Sequence, residues 1–382
     1  MAKRFMVSAV LLALVTCLFQ RNQKTKFLHA TSFFVSSKPP FSRTLFTEKS
    51  SSSSSSSSDD IGMISLGIRD PLTGLEFDYY RENCPRSERI VRSLVRQFHI
   101  ARPDATPSLL RLVFHDCFVQ GCDASVLLDS AEAEGFQSEK DTQPNETLKG
   151  FELIELIKAE IEQECPEIVS CADILVLAAR EAVVLSGGPF YPLHTGRRDS
   201  SMSFPEIASF ELPNPHDGII KTLFSFASRG FNERETVALL GAHNVGIVHC
   251  KFFHNRLYNF GGSGEPDPSI EPEFLDLLRS KCNNSRARNG ATMEEPGMLL
   301  NYGASSPEFG THYFRSLVQG KGILYADQQL MASEGTAQWV RAYAADGPMF
   351  MRDFAQAMMK LSNLRVLTGP LGEIRRVCSM YP

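Results

Sequence analysis

No acidic residue occurs in the first 47 positions, no CxxC pair occurs anywhere, and no apolar run has the length of a membrane span. Without CxxC, zinc ribbons and thioredoxin-type redox motifs lose their sequence basis. The apolar run Phe5 to Phe19, behind Lys3-Arg4, is too short to cross a bilayer comfortably. It has the charged and apolar regions of a secretory signal, although no small-x-small cleavage site follows it. Strand signals are sparse and no internal repeat is present. Basic residues are few outside the N-terminus: seven Lys and Arg lie in residues 1–47, leaving 32 basic against 44 acidic residues beyond. That acidic remainder speaks against nucleic acid as a partner.

The 382 residues suffice for one large domain or two modest lobes around a sizeable core. Nine cysteines are present; Cys17 lies in the N-terminal apolar run and eight are scattered beyond it. That even set, without metal-type spacing, predicts disulfides and an oxidising compartment, with the pairing left open. Residues 1–20 read as a signal peptide or anchor. Residues 21–74 are basic and then Ser-rich (Ser50 to Ser58), with no core-forming periodicity, and read as a disordered extension. Such a start also fits an organelle transit peptide; the cysteines favour secretion. The folded body is assigned to residues 75–382. Ser87 is a plausible N-cap for a helix with apolar residues at 90, 91, 94, 95 and 98. Further helices are predicted near 106–118, 150–164, 171–185, 217–229, 233–241, 271–281, 310–318 and 350–362, giving a mainly α domain with long irregular connections.

The stretch from Leu109 to Ser125 carries the chemistry. In a helix, Arg111 and His115 are four residues apart and share a face. Behind them Asp116, Val119, Gly121, Asp123 and Ser125 suit a loop that folds oxygen ligands around a hard cation such as Ca²⁺. Taken alone, the pair also fits a buried Arg–Asp contact beside a core histidine. A second histidine, His243 after Gly241-Ala242, adds a candidate metal ligand where small residues let a flat group approach.

The run Arg111-Leu-Val-Phe-His-Asp-Cys-Phe-Val-Gln-Gly-Cys-Asp-Ala-Ser125 resembles the distal signature of the plant secretory (class III) haem peroxidases. Asn83-Cys84-Pro85, Glu139-Lys140-Asp141, Val169 to Asp173, Gly187-Gly188-Pro189, Gly196 to Asp199, Leu212-Pro213, Arg256 to Phe260 and Ala326-Asp327-Gln328 are similar to further blocks of that family, in order. The resemblance spans about residues 75–380. It implies a helical fold in two lobes sandwiching one haem b, with little β structure. It implies a secreted enzyme, with a vacuolar or membrane-tethered form as alternatives, the tether requiring an uncleaved N-terminal segment, and a monomer as the expected state. Such an enzyme reduces hydrogen peroxide through a ferryl intermediate and oxidises small phenolic donors. His243 would be the axial ligand and Asp327 the acceptor for its second nitrogen. His115 would be acid and base, Arg111 the stabiliser of the departing oxygen, Asn145 the acceptor for the distal imidazole, and Phe114 a wall of the haem pocket. Pro213 and Phe252 would meet the donor, between Gln143 and His216, where aromatics are usual. Asp116, Val119, Gly121, Asp123 and Ser125 would hold a distal calcium, with Glu139 joining through water. The implied disulfides are Cys84–Cys165, Cys117–Cys122, Cys171–Cys378 and Cys250–Cys282, and Asp173 would pair with Arg197 or Arg198.

The chain departs from the family pattern on the proximal side. Asn244 follows His243 where Thr is usual, and neither expected Asp occurs in Asn301 to Thr311, which leaves Glu308 as the nearby carboxylate. A second calcium site is therefore expected to be weak or absent. The sole tryptophan, Trp339, is not at the family's usual position, which is Tyr191 here. These departures suggest an alternative: a disulfide- and calcium-stabilised extracellular protein of the same fold with weak or no turnover. Asn145-Glu146-Thr147 and Asn283-Asn284-Ser285 are glycosylation sequons. A glycan on Asn145 is incompatible with its implied role.

Overall fold

The computed structural model describes residues 73–131, 133, 135–283, 296–303 and 309–382. The expected leader and extension, the side chain of Asn283 and the carboxylate of Glu308 lie outside what is described. In chain order the helices are α1 (Ser87–Ala101), α2 (Ala105–Phe118), α3 (Phe151–Glu164), α4 (Cys171–Leu185), α5 (Pro205–Glu211), α6 (Ile219–Ala227) and α7 (Glu233–Leu240). They continue as α8 (His254–Tyr258), α9 (Pro272–Asn283), α10 (His312–Val318), α11 (Tyr325–Gln328), α12 (Glu334–Ala345) and α13 (Gly347–Ser362). Strand β1 (Glu76–Phe77) pairs antiparallel with β2 (His194–Thr195), and β3 (Ile247–His249) with β4 (Gly297–Leu299). In the second pair Ile247 faces Leu299 and His249 faces Gly297.

Helix α4 is the axis of the first half. Every residue from Cys171 to Val183 is buried, as an all-round apolar helix requires. Ser170 caps it by accepting the Asp173 N–H at 3.0 Å. Helices α1, α2 and α3 pack around α4, while α7, α10, α12 and α13 pack on one another as a second group, and α13 also reaches α2. Aromatic side chains fill the second group: Phe314 lies 4.8 Å from Phe350 and 5.2 Å from Tyr343, ring centre to ring centre. Four disulfides join Cys84 to Cys165, Cys117 to Cys122, Cys171 to Cys378 and Cys250 to Cys282, the pairs that the family resemblance implies.

Most predicted helices occur within a few residues of their expected ends, but α5, α8, α11 and α12 were not expected. Helix α12 starts with Gly335 in its first turn and buries Thr336, Ala337, Val340 and Tyr343. That face is built of small and polar residues and gives a weak periodic signal; packing against α10 and α7 makes it helical.

Asp173 is buried in α4 and needs compensation. Arg197 Nη1 donates to it at 2.7 Å and Tyr80 Oη at 2.6 Å, which settles the pairing on Arg197; Arg198 donates instead to the Gly372 carbonyl. Breaking a buried pair from one side leaves the other charge stranded. Arg197→Ala is expected to cost about 3–5 kcal/mol, measured by denaturant unfolding of the full chain; a loss below about 1 kcal/mol would contradict this account.

Candidate active site

Helix α2 presents Arg111 and His115 together because they are one turn apart, and Arg111 Nε donates to His115 Nε2 at 3.2 Å. The other ring nitrogen, Nδ1, lies 2.6 Å from Asn145 Oδ1. An amide oxygen can only accept, so the proton sits on Nδ1 and Nε2 keeps its lone pair. Burial, and then the Arg111 charge, pull His115 down to about 3 against the support of Asn145. The imidazole is therefore neutral at ordinary pH and its Nε2 can take up a proton. Arg111 is pulled down to about 10 by burial and remains a cation at neutral pH. Its other donors go to Thr147 Oγ1 at 3.0 Å, the Thr147 carbonyl at 3.1 Å and the Pro144 carbonyl at 3.0 Å. Phe114 is half-buried beside this pair, stacked on Phe118 with ring centres 4.5 Å apart.

Just beyond His115 the helix gives way to the predicted cation loop. Gly121 has φ +144°, and a Cβ there would lie 2.5 Å from the Arg365 carbonyl oxygen, so only glycine fits. Asp116 Oδ2 accepts the Ala124 N–H at 3.1 Å and Asp123 Oδ1 the Ser125 N–H at 3.0 Å. Asp116 Oδ1, Ser125 Oγ and Glu139 Oε2 are buried without a hydrogen-bond partner. Buried orphaned oxygens of this kind require an explanation, and a hard cation supplies one. Burial pushes Asp123 up to about 6 and Glu139 up to about 7; it raises Asp116 too, reinforced by the other two carboxylates. Among the described residues no three His, Cys, Asp or Glu side chains close on one point tightly enough to hold an ion alone. Hydroxyl and carbonyl oxygens would have to complete the shell, as the loop with Ser125, Val119 and Gly121 allows. Glu139 also supports the histidine: its backbone carbonyl accepts Asn145 Nδ2 at 2.8 Å.

His243 follows α7, whose start is fixed by a capping box between Asn232 and Glu235. Gly241 brings this turn against α13, since a Cβ there would lie 2.5 Å from the Phe350 ring. His243 Nδ1 lies 2.9 Å from Asp327 Oδ1, so Nε2 is left for a ligand. The ring is deep in the protein yet 36% accessible, an opening through which a large group could reach it. Burial lowers its proton affinity, but the Asp327 carboxylate outweighs that and the net direction is up. The Arg111 charge also lowers the proton affinity of His243, as the smallest of these effects. An imidazole with one nitrogen free and a carboxylate behind the other suits a haem iron. Asn244, which stands where the family's second cation site has Thr, spends its amide on protein: Nδ2 donates to the Gly241 carbonyl at 2.8 Å and Oδ1 accepts the Tyr313 N–H at 3.3 Å.

Comparison with known proteins bears on this arrangement. Residues 91–346 match the family description Peroxidase. The chain belongs to the peroxidase family. Among its relatives, Peroxidase 48 of Arabidopsis thaliana is 49% identical over 333 residues, covering 80% of this chain and 82% of that one. Peroxidase 1 and Peroxidase 28 of the same plant are 41% and 43% identical, covering 91% and 94% of their own lengths. The protein is a plant peroxidase, and these relatives do not favour the alternative of a fold without turnover.

In this peroxidase the residues expected at the donor edge come from two further segments. Pro213 is half-buried after α5, in a loop tied to α11 by the Ala326 N–H to the Pro215 carbonyl at 3.0 Å. Phe252 is half-buried in the turn after β3, beside the Cys250–Cys282 disulfide. Gln143 and His216 are exposed. Thr147 was missed as an Arg111 anchor; its only signal in the sequence was as the third residue of a sequon. Asn145 is 2% exposed with both ends of its amide engaged. Peptide mass spectrometry of the protein purified from plant tissue should find Asn145 without glycan, and an occupied Asn145 would contradict this geometry.

Proposed function

We propose that the peroxidase holds haem b between His115 and His243, binds calcium in the Asp116–Ser125 loop, and uses hydrogen peroxide to oxidise small phenolic donors. The single observation that carries this reading is the way two histidines are held. His115 is kept neutral by burial and Arg111, with Asn145 fixing its tautomer; His243 is drawn toward anionic character by Asp327. His243 Nε2 would hold the haem iron, and haem would supply the metal for peroxide and the store of oxidising equivalents.

The protein's own residues do the rest. His115 Nε2 takes the proton from the inner peroxide oxygen and delivers it to the outer one, acting as base and then as acid. Asn145 keeps the other nitrogen protonated throughout. Arg111, braced by Thr147 and Pro144, carries a fixed positive charge toward the departing oxygen and stabilises the charge that forms there. Phe114 narrows the approach so that small peroxides enter. Asp327 holds the proton of His243 Nδ1 and so strengthens that imidazole as a donor. Phenolic donors would meet the protein at Pro213 and Phe252.

The four disulfides support an oxidising, extracellular setting. No helix among the described residues is long and apolar enough to cross a membrane. Residues 75–382 are assigned to the peroxidase domain and residues 1–74 to a leader and extension.

Two experiments test this reading. In stopped-flow mixing with hydrogen peroxide, His115→Ala should slow the reaction by about 10²- to 10⁴-fold; a rate within severalfold of wild type removes His115 from its role. Removing calcium with a chelator should lower the unfolding free energy by about 2.7 kcal/mol relative to protein with calcium at 100 times its Kd. Asp116→Asn should lose that calcium response, and if it responds as wild type does, the loop is not the site.

A further inference from the structure

Asp327 is 2% exposed, and among the described residues no Lys or Arg is hydrogen-bonded to it. Two donors converge on its Oδ1, and only one of them is His243: Tyr313 Oη donates to the same oxygen at 2.9 Å, equal to the His243 Nδ1 distance. Burial, with the Asp327 charge behind it, holds the Tyr313 phenol well above its usual value, so it stays an O–H donor. Its ring meets the His243 ring edge to face, centres 6.1 Å apart at 83°. The other end of the residue is tied as well, because the Tyr313 backbone N–H donates to Asn244, the neighbour of His243. Gln328 fixes the spacing of α10 and α11, donating to the Leu317 carbonyl at 3.1 Å and accepting the Gly322 N–H at 2.9 Å.

We propose that Tyr313 is a positioning residue for the axial histidine, one that tempers the pull of Asp327 on His243 by competing for the same carboxylate oxygen. A donor on Oδ1 withdraws density from it, so the oxygen accepts less strongly from Nδ1–H and the imidazole becomes less anionic. Loss of the hydroxyl makes His243 a stronger donor to the iron and favours the ferric state. The inference rests on His243 being the axial ligand, and the experiment separates the two claims.

The haem-loaded full chain is compared with Tyr313→Phe and with a protein carrying 3-fluorotyrosine at 313, a slightly more acidic phenol and therefore a better donor that preserves the packing. The readouts are the ferric/ferrous midpoint potential and the iron–imidazole stretching frequency of the ferrous protein. Tyr313→Phe should lower the potential and raise the stretching frequency; the fluorinated phenol should shift both the opposite way. If Tyr313→Phe is too unstable to hold haem, the fluorinated protein alone carries the sign. Lower stability with both readouts unmoved means that Tyr313 only packs, and the inference fails. His243→Ala is the reference: if the band survives in it, the axial assignment itself is wrong, whereas if the band disappears there but does not respond at Tyr313, only the role of Tyr313 falls.

Discussion

The bond from His115 Nδ1 to Asn145 Oδ1 is the contact on which the distal side depends. A buried imidazole beside a guanidinium cannot carry a charge, so the remaining choice is which nitrogen bears the single proton. Asn145 makes that choice, and its own orientation is fixed from behind, because its NH₂ donates to the Glu139 carbonyl. A flipped amide would set a donor against the imidazole N–H and would break both bonds. Glu139 is held in turn by the Ser203 hydroxyl on its N–H and by the Phe204 N–H on its carboxylate. The state of one ring nitrogen thus traces back through the backbone to the edge of the cation loop.

Buried charge is handled in opposite ways on the two sides. On the distal side, the buried carboxylates at 116 and 139 each leave an oxygen unpaired, an arrangement that calls for a cation. On the proximal side Asp327 is surrounded by donors of the protein itself, from His243 and Tyr313. The first solution would make the position of His115 depend on an ion, since Asp116 is the next residue. The second makes the orientation of His243 depend on hydrogen bonds that α10 and α11 bring together.

Much of this was legible because it is local. Arg111 and His115 share a helix face at any reading of residues 109–118, and the cation loop follows within ten positions. The link from Asp327 to His243 bridges 84 residues, and only the family resemblance pointed to it. What stayed hidden depends on tertiary contact. Thr147 matters because its hydroxyl and carbonyl meet Arg111, and a sequon motif masked that use. Nothing in the sequence marks Tyr313, and its hydroxyl acquires meaning only opposite Asp327. Asn244 was judged against a metal-site pattern, whereas its amide is a tie between two turns of backbone.

Helix α13 connects the two sides. Near its start, Phe350 packs against Gly241, two residues before the axial histidine, at a distance that tolerates no side chain. At its end, the Ser362 carbonyl accepts Arg197 Nε, and the Leu364 carbonyl just beyond accepts the Cys122 N–H in the cation loop. From Phe350 to Ser362 is twelve residues, a strut of about 18 Å at 1.5 Å per residue. An α-helix resists changes in length, because each turn would have to give up its hydrogen bonds. The spacing between the turn that carries His243 and the loop that follows His115 is therefore set by a rigid element that contributes no side chain to the chemistry. Gly241 and Gly121 mark its two ends for the same physical reason: at each, another part of the chain comes too close for a Cβ.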